Sequence, residues 1–106
     1  SPLIQKALQM VKKEYDQGIT LEEMADKLFV SEEYLSSQFK KEIGVGFKEM
    51  VRTLQIERIK ELLTNTKLKL NQIAELAGYS AAKYMSRVFK DEVGVLPSEF
   101  RKSAHC

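Results

Sequence analysis

The sequence predicts an all-α protein of about seven helices, built as two helix–turn–helix subdomains joined by a linker helix. Three observations carry that prediction. Apolar residues recur at helical spacing through most of the 106 residues. No stretch alternates apolar and polar residues over six positions, and no hairpin dipeptide occurs. One pattern also occurs twice. Leu21-Glu-Glu-Met-Ala25 answers to Leu70-Asn-Gln-Ile-Ala74, and Ser31 answers to Ser80. Tyr34-Leu-Ser36, Phe39-Lys40, Glu42, Gly44-Val45 and Glu49 then answer to Tyr84-Met-Ser86, Phe89-Lys90, Glu92, Gly94-Val95 and Glu99. The offset is 49 residues up to the serine and 50 after it, so the second copy holds one extra residue between its serine and its tyrosine.

Each element has its own signal. Pro2 suits a first helical turn, and Ile4, Ala7, Leu8, Val11 and Tyr15 form a stripe that predicts a helix over 2–17, stopped by Gly18. Thr20 with Glu23 three residues on reads as a capping box opening a helix that ends near Leu28. Leu21, Met24, Ala25 and Leu28 face inward there, and Ala25 is small enough for a close helix crossing. Phe29-Val30 forms the turn. Ser31 caps a third helix reaching about Ile43, with Leu35, Phe39 and Ile43 as its buried line. Gly44-Val45-Gly46 breaks the pattern. A linker helix over 47–64 follows, with Met50, Val51, Leu54, Ile59, Leu62 and Leu63 as its apolar residues. The second copy predicts helices over 70–77 and 80–92 around a Gly78-Tyr79 turn. A short last helix starts at Pro97 and contains Phe100, and the tail Ser103-Ala-His-Cys106 is expected to be loose. These elements divide the chain into a first subdomain at 1–46, the linker at 47–64 and a second subdomain at 65–106.

Composition narrows the function classes. Halves of about 45 residues are near the size at which a core alone is marginal, so the linker is expected to support both. No apolar run approaches the ~20 residues of a membrane span. Pro2 to Tyr15 is amphipathic and interrupted by lysines, unlike a secretory leader. A single cysteine, Cys106, excludes an intrachain disulfide and suits a cytoplasmic protein. Net charge is only +2, with the basic excess toward the second copy. Paired catalytic acids, metal-ligand spacing, a phosphate-cradling loop and a nucleophile–base pair are all missing, so neither an enzyme nor a cofactor is expected. His105 stands alone in the tail.

The duplicated motif predicts a reader of duplex DNA. A recognition helix turns the N-terminal part of its outward face to base edges and its later part inward. In the first copy the outward positions are Glu32, Glu33, Ser36 and Ser37, then Gln38 and Lys40. In the second they are Ala81, Ala82, Lys83, Ser86 and Arg87, then Lys90. Arg87 can donate two bonds to guanine, Lys83 can reach a base or a phosphate, and either serine can bond to bases. Glu32 and Glu33 can accept from cytosine N4, although acids in a first turn also serve simply to complement the helix dipole. Lys40, Lys41 and Lys90 are candidate phosphate contacts, and equally ordinary surface lysines. Thr20 is a cap whose helix N-terminus could hold a phosphate, and Lys69 at the matching place could pair with one. Tyr34, Tyr84, Phe39 and Phe89 are expected in the core rather than against bases. A linker of about 18 residues spans roughly 27 Å, slightly less than the ~34 Å turn of B-DNA, so seating both helices on one face calls for DNA bent toward the protein.

The run Gly78-Tyr-Ser80-Ala-Ala-Lys-Tyr84-Met-Ser-Arg-Val-Phe89-Lys, followed by Gly94-Val-Leu-Pro97-Ser-Glu-Phe100-Arg101, resembles the closing signature of AraC/XylS-type bacterial transcription regulators. Ser31-Glu-Glu-Tyr-Leu-Ser-Ser-Gln-Phe-Lys-Lys-Glu-Ile-Gly44 is similar to that family's first helix–turn–helix. The resemblance spans essentially the whole chain. It implies two homeodomain-like three-helix subdomains on a linker helix, binding promoter DNA as a regulator that is usually an activator. Contact with RNA polymerase is common in the family. By position, the family's base-contacting sites fall on Glu33, Ser36 and Ser37, and on Ala82, Lys83, Ser86 and Arg87. Ser37 stands where relatives often hold arginine, Gln38 where an apolar residue is usual, and Lys69 where a capping serine or threonine is frequent. Gln55 and Ile59 replace a frequent arginine and alanine. The resemblance also implies a longer protein, with this chain as its C-terminal part. A phosphoacceptor receiver domain is the first expectation for the missing part, and a ligand-binding sensor domain the second. A competing reading is a helical protein-interaction module that no longer reads DNA, which the low net charge and the Glu32-Glu33 pair favour.

Overall fold

The computed structural model describes residues 1–104; His105 and Cys106, named above, lie outside the described residues. Seven α-helices and one 3-10 turn make up the described chain: α1 Pro2–Glu14, the 3-10 turn Tyr15–Gln17, α2 Leu21–Leu28, α3 Glu32–Ile43, α4 Phe47–Asn65, α5 Leu70–Leu76, α6 Ala82–Val93 and α7 Pro97–Ala104. No strand occurs among the described residues. Contacts divide the chain inside α4, into a compact unit of Ser1–Leu54 and a second from Gln55 onward.

In the first unit, Ile4, Ala7 and Val11 of α1 close over Met24 and Ala25 of α2 and Leu35 and Phe39 of α3, all buried. Phe47, Met50, Val51 and Leu54 of α4 pack on this core, and the Phe39 and Phe47 rings meet edge to face at 6.4 Å. Truncating a fully buried ring such as Phe39 to alanine would cost about 3–5 kcal/mol. Ser1 caps α1: its hydroxyl accepts from the Ile4 N–H at 3.4 Å and donates to Glu42 at 3.0 Å.

The second unit repeats the plan. Ile56, Ile59, Leu62 and Leu63 of α4 stand in for α1, closing over Ile73 and Ala74 of α5 and Met85, Val88 and Phe89 of α6. Phe100 of α7 packs on this core, edge to face with Phe89 at 5.6 Å. Arg101 then ties the unit together. Its guanidinium donates to the carbonyls of Leu63 at 3.2 Å, Thr66 at 3.2 Å and Leu68 at 2.7 Å. Those acceptors lie in the last turn of α4 and in the loop leading to α5, so one side chain of α7 pins the join between the two helices.

Several expectations change at the ends of elements: α1 stops at Glu14 and passes into the 3-10 turn instead of running to 17, and α5 stops at Leu76 instead of 77. The second recognition helix starts at Ala82 rather than at 80, because the extra residue of the second copy lengthens the turn and leaves Ser80 before the cap position. Ser103 and Ala104, expected in a loose tail, belong to α7.

Candidate nucleic-acid interface

Both helix–turn–helix units use one backbone solution at the turn. Helix α2 ends with the Val30 N–H bonded to the Ala25 carbonyl at 3.1 Å and the Phe29 N–H to the Asp26 carbonyl at 3.3 Å. Helix α5 ends with the Tyr79 N–H on the Ala74 carbonyl at 2.8 Å and the Gly78 N–H on the Glu75 carbonyl at 3.2 Å. This paired pattern is a Schellman motif, which needs one residue in the left-handed region. Gly78 supplies it in the second copy with φ +91°. In the first copy the same position is Phe29, at φ +60°, ψ +42° and 93% exposed.

The helices are entered differently. The Thr20 hydroxyl accepts from the Glu23 N–H at 3.1 Å, and the Ser31 hydroxyl from the Tyr34 N–H at 3.1 Å. At the place matching Thr20, Lys69 has no acceptor in its side chain; instead the Gln72 side chain accepts the Lys69 N–H at 3.0 Å. At α6 the cap position is Ala81, which makes no side-chain cap bond.

The outward faces hold most of the residues that the sequence nominates. Glu32, Glu33, Ser36 and Ser37 of α3 are exposed, with Lys40 and Lys41 farther along the same helix, and Gln38 half-buried. On α6, Ala81, Lys83, Arg87 and Lys90 are exposed. Ser86 is half-buried, and Ala82 packs partly against the second core. Thr20 and Lys69 are exposed at the starts of α2 and α5. Within each unit, the nominated side chains are divided between the recognition helix and the N-terminus of its partner helix.

One pair was misplaced by the sequence. Phe39 and Phe89 are fully buried as expected, but Tyr34 is 52% and Tyr84 51% exposed. Each tyrosine precedes a fully buried residue, Leu35 or Met85. A helix turns about 100° per residue, so each ring leaves the core direction and stands on the shoulder of its recognition helix. The recurrence of tyrosine in both copies was the available signal. Arg101 is the second residue that sequence reasoning left without a role.

Charge differs between the units. Residues 1–54 carry eight lysines and arginines against nine acids, while residues 55–106 carry nine against six. The described residues hold no group of acids, histidines or cysteines that could bind a metal, and no helix long and apolar enough to cross a membrane.

Fold and site together define a helix–turn–helix DNA-binding domain, made twice in one chain. The helix-turn-helix domain family matches residues 24–103, and the chain belongs to it, within the AraC-type group that the closing signature indicates. The C-terminal domain of AraT, a response regulator from Geobacillus stearothermophilus, superposes with a TM-score of 0.92 at 36% identity, over 97% of this chain and 86% of that one. The C-terminal domain of the two-component response regulator yesN from Fusobacterium nucleatum gives 0.82 at 33% identity, over 94% and 95%. The xylose operon regulatory protein of Escherichia coli K12 is 28% identical over 100 residues, which are 94% of this chain and 26% of that protein. The chain thus spans about a quarter of the length of that regulator.

Proposed function

We propose that this chain is the promoter-reading part of a bacterial transcription regulator, placing α3 and α6 in successive major grooves of duplex DNA. The linker region 47–64 acts as the spacer between subdomains 1–46 and 65–106. Glu33, Ser36 and Ser37 face bases from the first helix, and Ala82, Lys83, Ser86 and Arg87 from the second. Thr20, Lys40, Lys41, Lys69 and Lys90 hold phosphates. The observation that carries this reading is the repeated construction itself. Two helices with the same buried line, Leu35 and Phe39 in one and Met85 and Phe89 in the other, each turn a polar outer face to solvent. Packing the recognition helix by its inner residues and leaving its outer ones free is what groove entry requires.

The full regulator carries a further domain. Similarity to C-terminal domains of response regulators supports a phosphoacceptor receiver domain in that role. We place the regulator in the cytoplasm, with RNA polymerase as a further partner. Selection of bound duplexes from a random pool, followed by footprinting, tests the central claim. Enrichment of a site of about 20 base pairs with two protected major-groove segments is expected, with affinity falling as salt rises. Protection of a single short patch would refute the two-groove reading, and absence of binding to any duplex at low salt would favour the protein-interaction alternative.

A further inference from the structure

We infer that Tyr34 and Tyr84 are a matched pair of strand contacts, each donating its phenolic hydroxyl to a phosphate oxygen beside the groove that its helix enters. The inference rests on the reading of α3 and α6 as recognition helices. Both tyrosines are third in their helices, in the turn that goes deepest into a groove. Half of each side chain is open to solvent, at 52% and 51%, while Phe39 and Phe89 five residues on are fully buried. A tyrosine this exposed carries an apolar body and a polar tip to the surface, the combination that serves at a wet interface. The Tyr84 ring also meets the Tyr79 ring edge to face at 5.6 Å.

Direction decides what such a tip can touch. On α3 the proposed base-facing residues are Glu33, Ser36 and Ser37, roughly opposite Leu35 and Phe39. Tyr34 lies between those two directions, on the flank it shares with Ser37 and Lys41 by helical spacing. Tyr84 holds the same place on α6, beside Arg87 and Asp91. A helix seated in the major groove presents its outer face to bases and its flanks to the sugar-phosphate walls. Tyrosine also lacks charge. It can therefore hold a phosphate beside Asp91, or above the Glu32-Glu33 turn, where the local charge is acidic. Phosphate contact of this kind sets register and carries no sequence preference.

Tyr34→Phe and Tyr84→Phe remove only the hydroxyl and keep the rings. The test measures affinity of the full chain for its selected duplex and for a scrambled duplex at several salt concentrations. Each variant should bind roughly 2- to 12-fold more weakly, the range of one net hydrogen bond, and by the same factor on both duplexes. The slope of log affinity against log salt should stay that of the wild type, since a neutral donor releases no counterion. Unchanged affinity in either variant would overturn the pair. A loss confined to the selected duplex would make the tyrosine a base contact and overturn it too. Wild-type protein that binds no duplex would instead refute the DNA reading beneath it, an outcome that the variants alone cannot produce.

Discussion

Exchanging the left-handed residue of the two turns should change stability in opposite directions. Phe29 sits at φ +60°, ψ +42°, a region that costs a residue with a Cβ about 1–2 kcal/mol. Its ring is 93% exposed, so removing it forfeits almost no burial. Phe29→Gly relieves the strain and adds back about 0.5–1 kcal/mol of unfolded-state freedom. The net expectation is a first unit more stable by about 0.5–1 kcal/mol. Gly78 occupies the same motif at φ +91°. Gly78→Ala imposes the same strain and recovers about 0.4–1 kcal/mol from a stiffer unfolded chain, for a net loss of about 0.5–1 kcal/mol in the second unit. Urea unfolding followed by far-ultraviolet circular dichroism gives the totals. Amide exchange at Leu35 and Phe39, and at Met85 and Phe89, assigns each change to its own unit. A destabilised Phe29→Gly would refute the reasoning, because it would mean that the exposed ring has contacts worth more than the backbone strain.

The remaining expectations separate scaffold from surface. Ala81→Ser should supply the missing cap of α6 and stabilise the second unit by about 0.5–1 kcal/mol in the same urea experiment. Arg101→Met removes the donor to three carbonyls and should cost roughly 2–4 kcal/mol. Arg101→Lys should recover little of it, because an ammonium cannot reproduce the guanidinium fork. Arg87→Ala should cost about 1–3 kcal/mol of binding and relax preference at one base pair, as read by titration on single-substitution duplexes. Lys90→Ala should weaken every duplex alike and lower the salt slope by about one.

The scaffold was legible because each helix boundary is written in residue chemistry. Ser31 accepts the Tyr34 N–H, Gly44 and Gly94 end α3 and α6 in the left-handed region, and Pro97 opens α7, all as the local sequence dictates. The inward lines Leu35-Phe39 and Met85-Phe89 follow from the 3.6-residue period alone. Errors arose where tertiary context overrides a local signal. Ser80 looks like a cap by analogy with Ser31, yet the inserted residue moves the helix start past it. Phe29 carries no mark of a left-handed residue; only its place in the Schellman turn requires one. Tyr34 and Tyr84 were placed inside because aromatic residues at regular spacing usually are. Their position one step before a core residue, which sets their direction, was the better guide. Arg101 acts on carbonyls up to 38 residues away, a pairing that no local pattern encodes.

The two copies agree where packing constrains them and diverge where it does not. Ala25 and Ala74, Phe39 and Phe89, Gly44 and Gly94 are the same residue in both units, because crossing distance, ring volume and backbone handedness permit few others. At exposed positions the equivalents are unlike, and two pairs reverse their charge: Glu33 corresponds to Lys83, and Lys41 to Asp91, while Ser37 corresponds to Arg87. Glutamate accepts from cytosine, whereas lysine and arginine donate to guanine. In the proposed complex, side chains of opposite hydrogen-bonding character cannot prefer the same base at the same place. A repeated scaffold in this chain therefore does not imply a repeated operator; the half-site under α6 should tend to guanine at positions where the half-site under α3 does not. The net charges add to the division. In the proposed complex the first unit, with one more acid than base, adds uncharged contacts from Ser36, Ser37 and the Tyr34 hydroxyl to the phosphate contacts of Lys40 and Lys41.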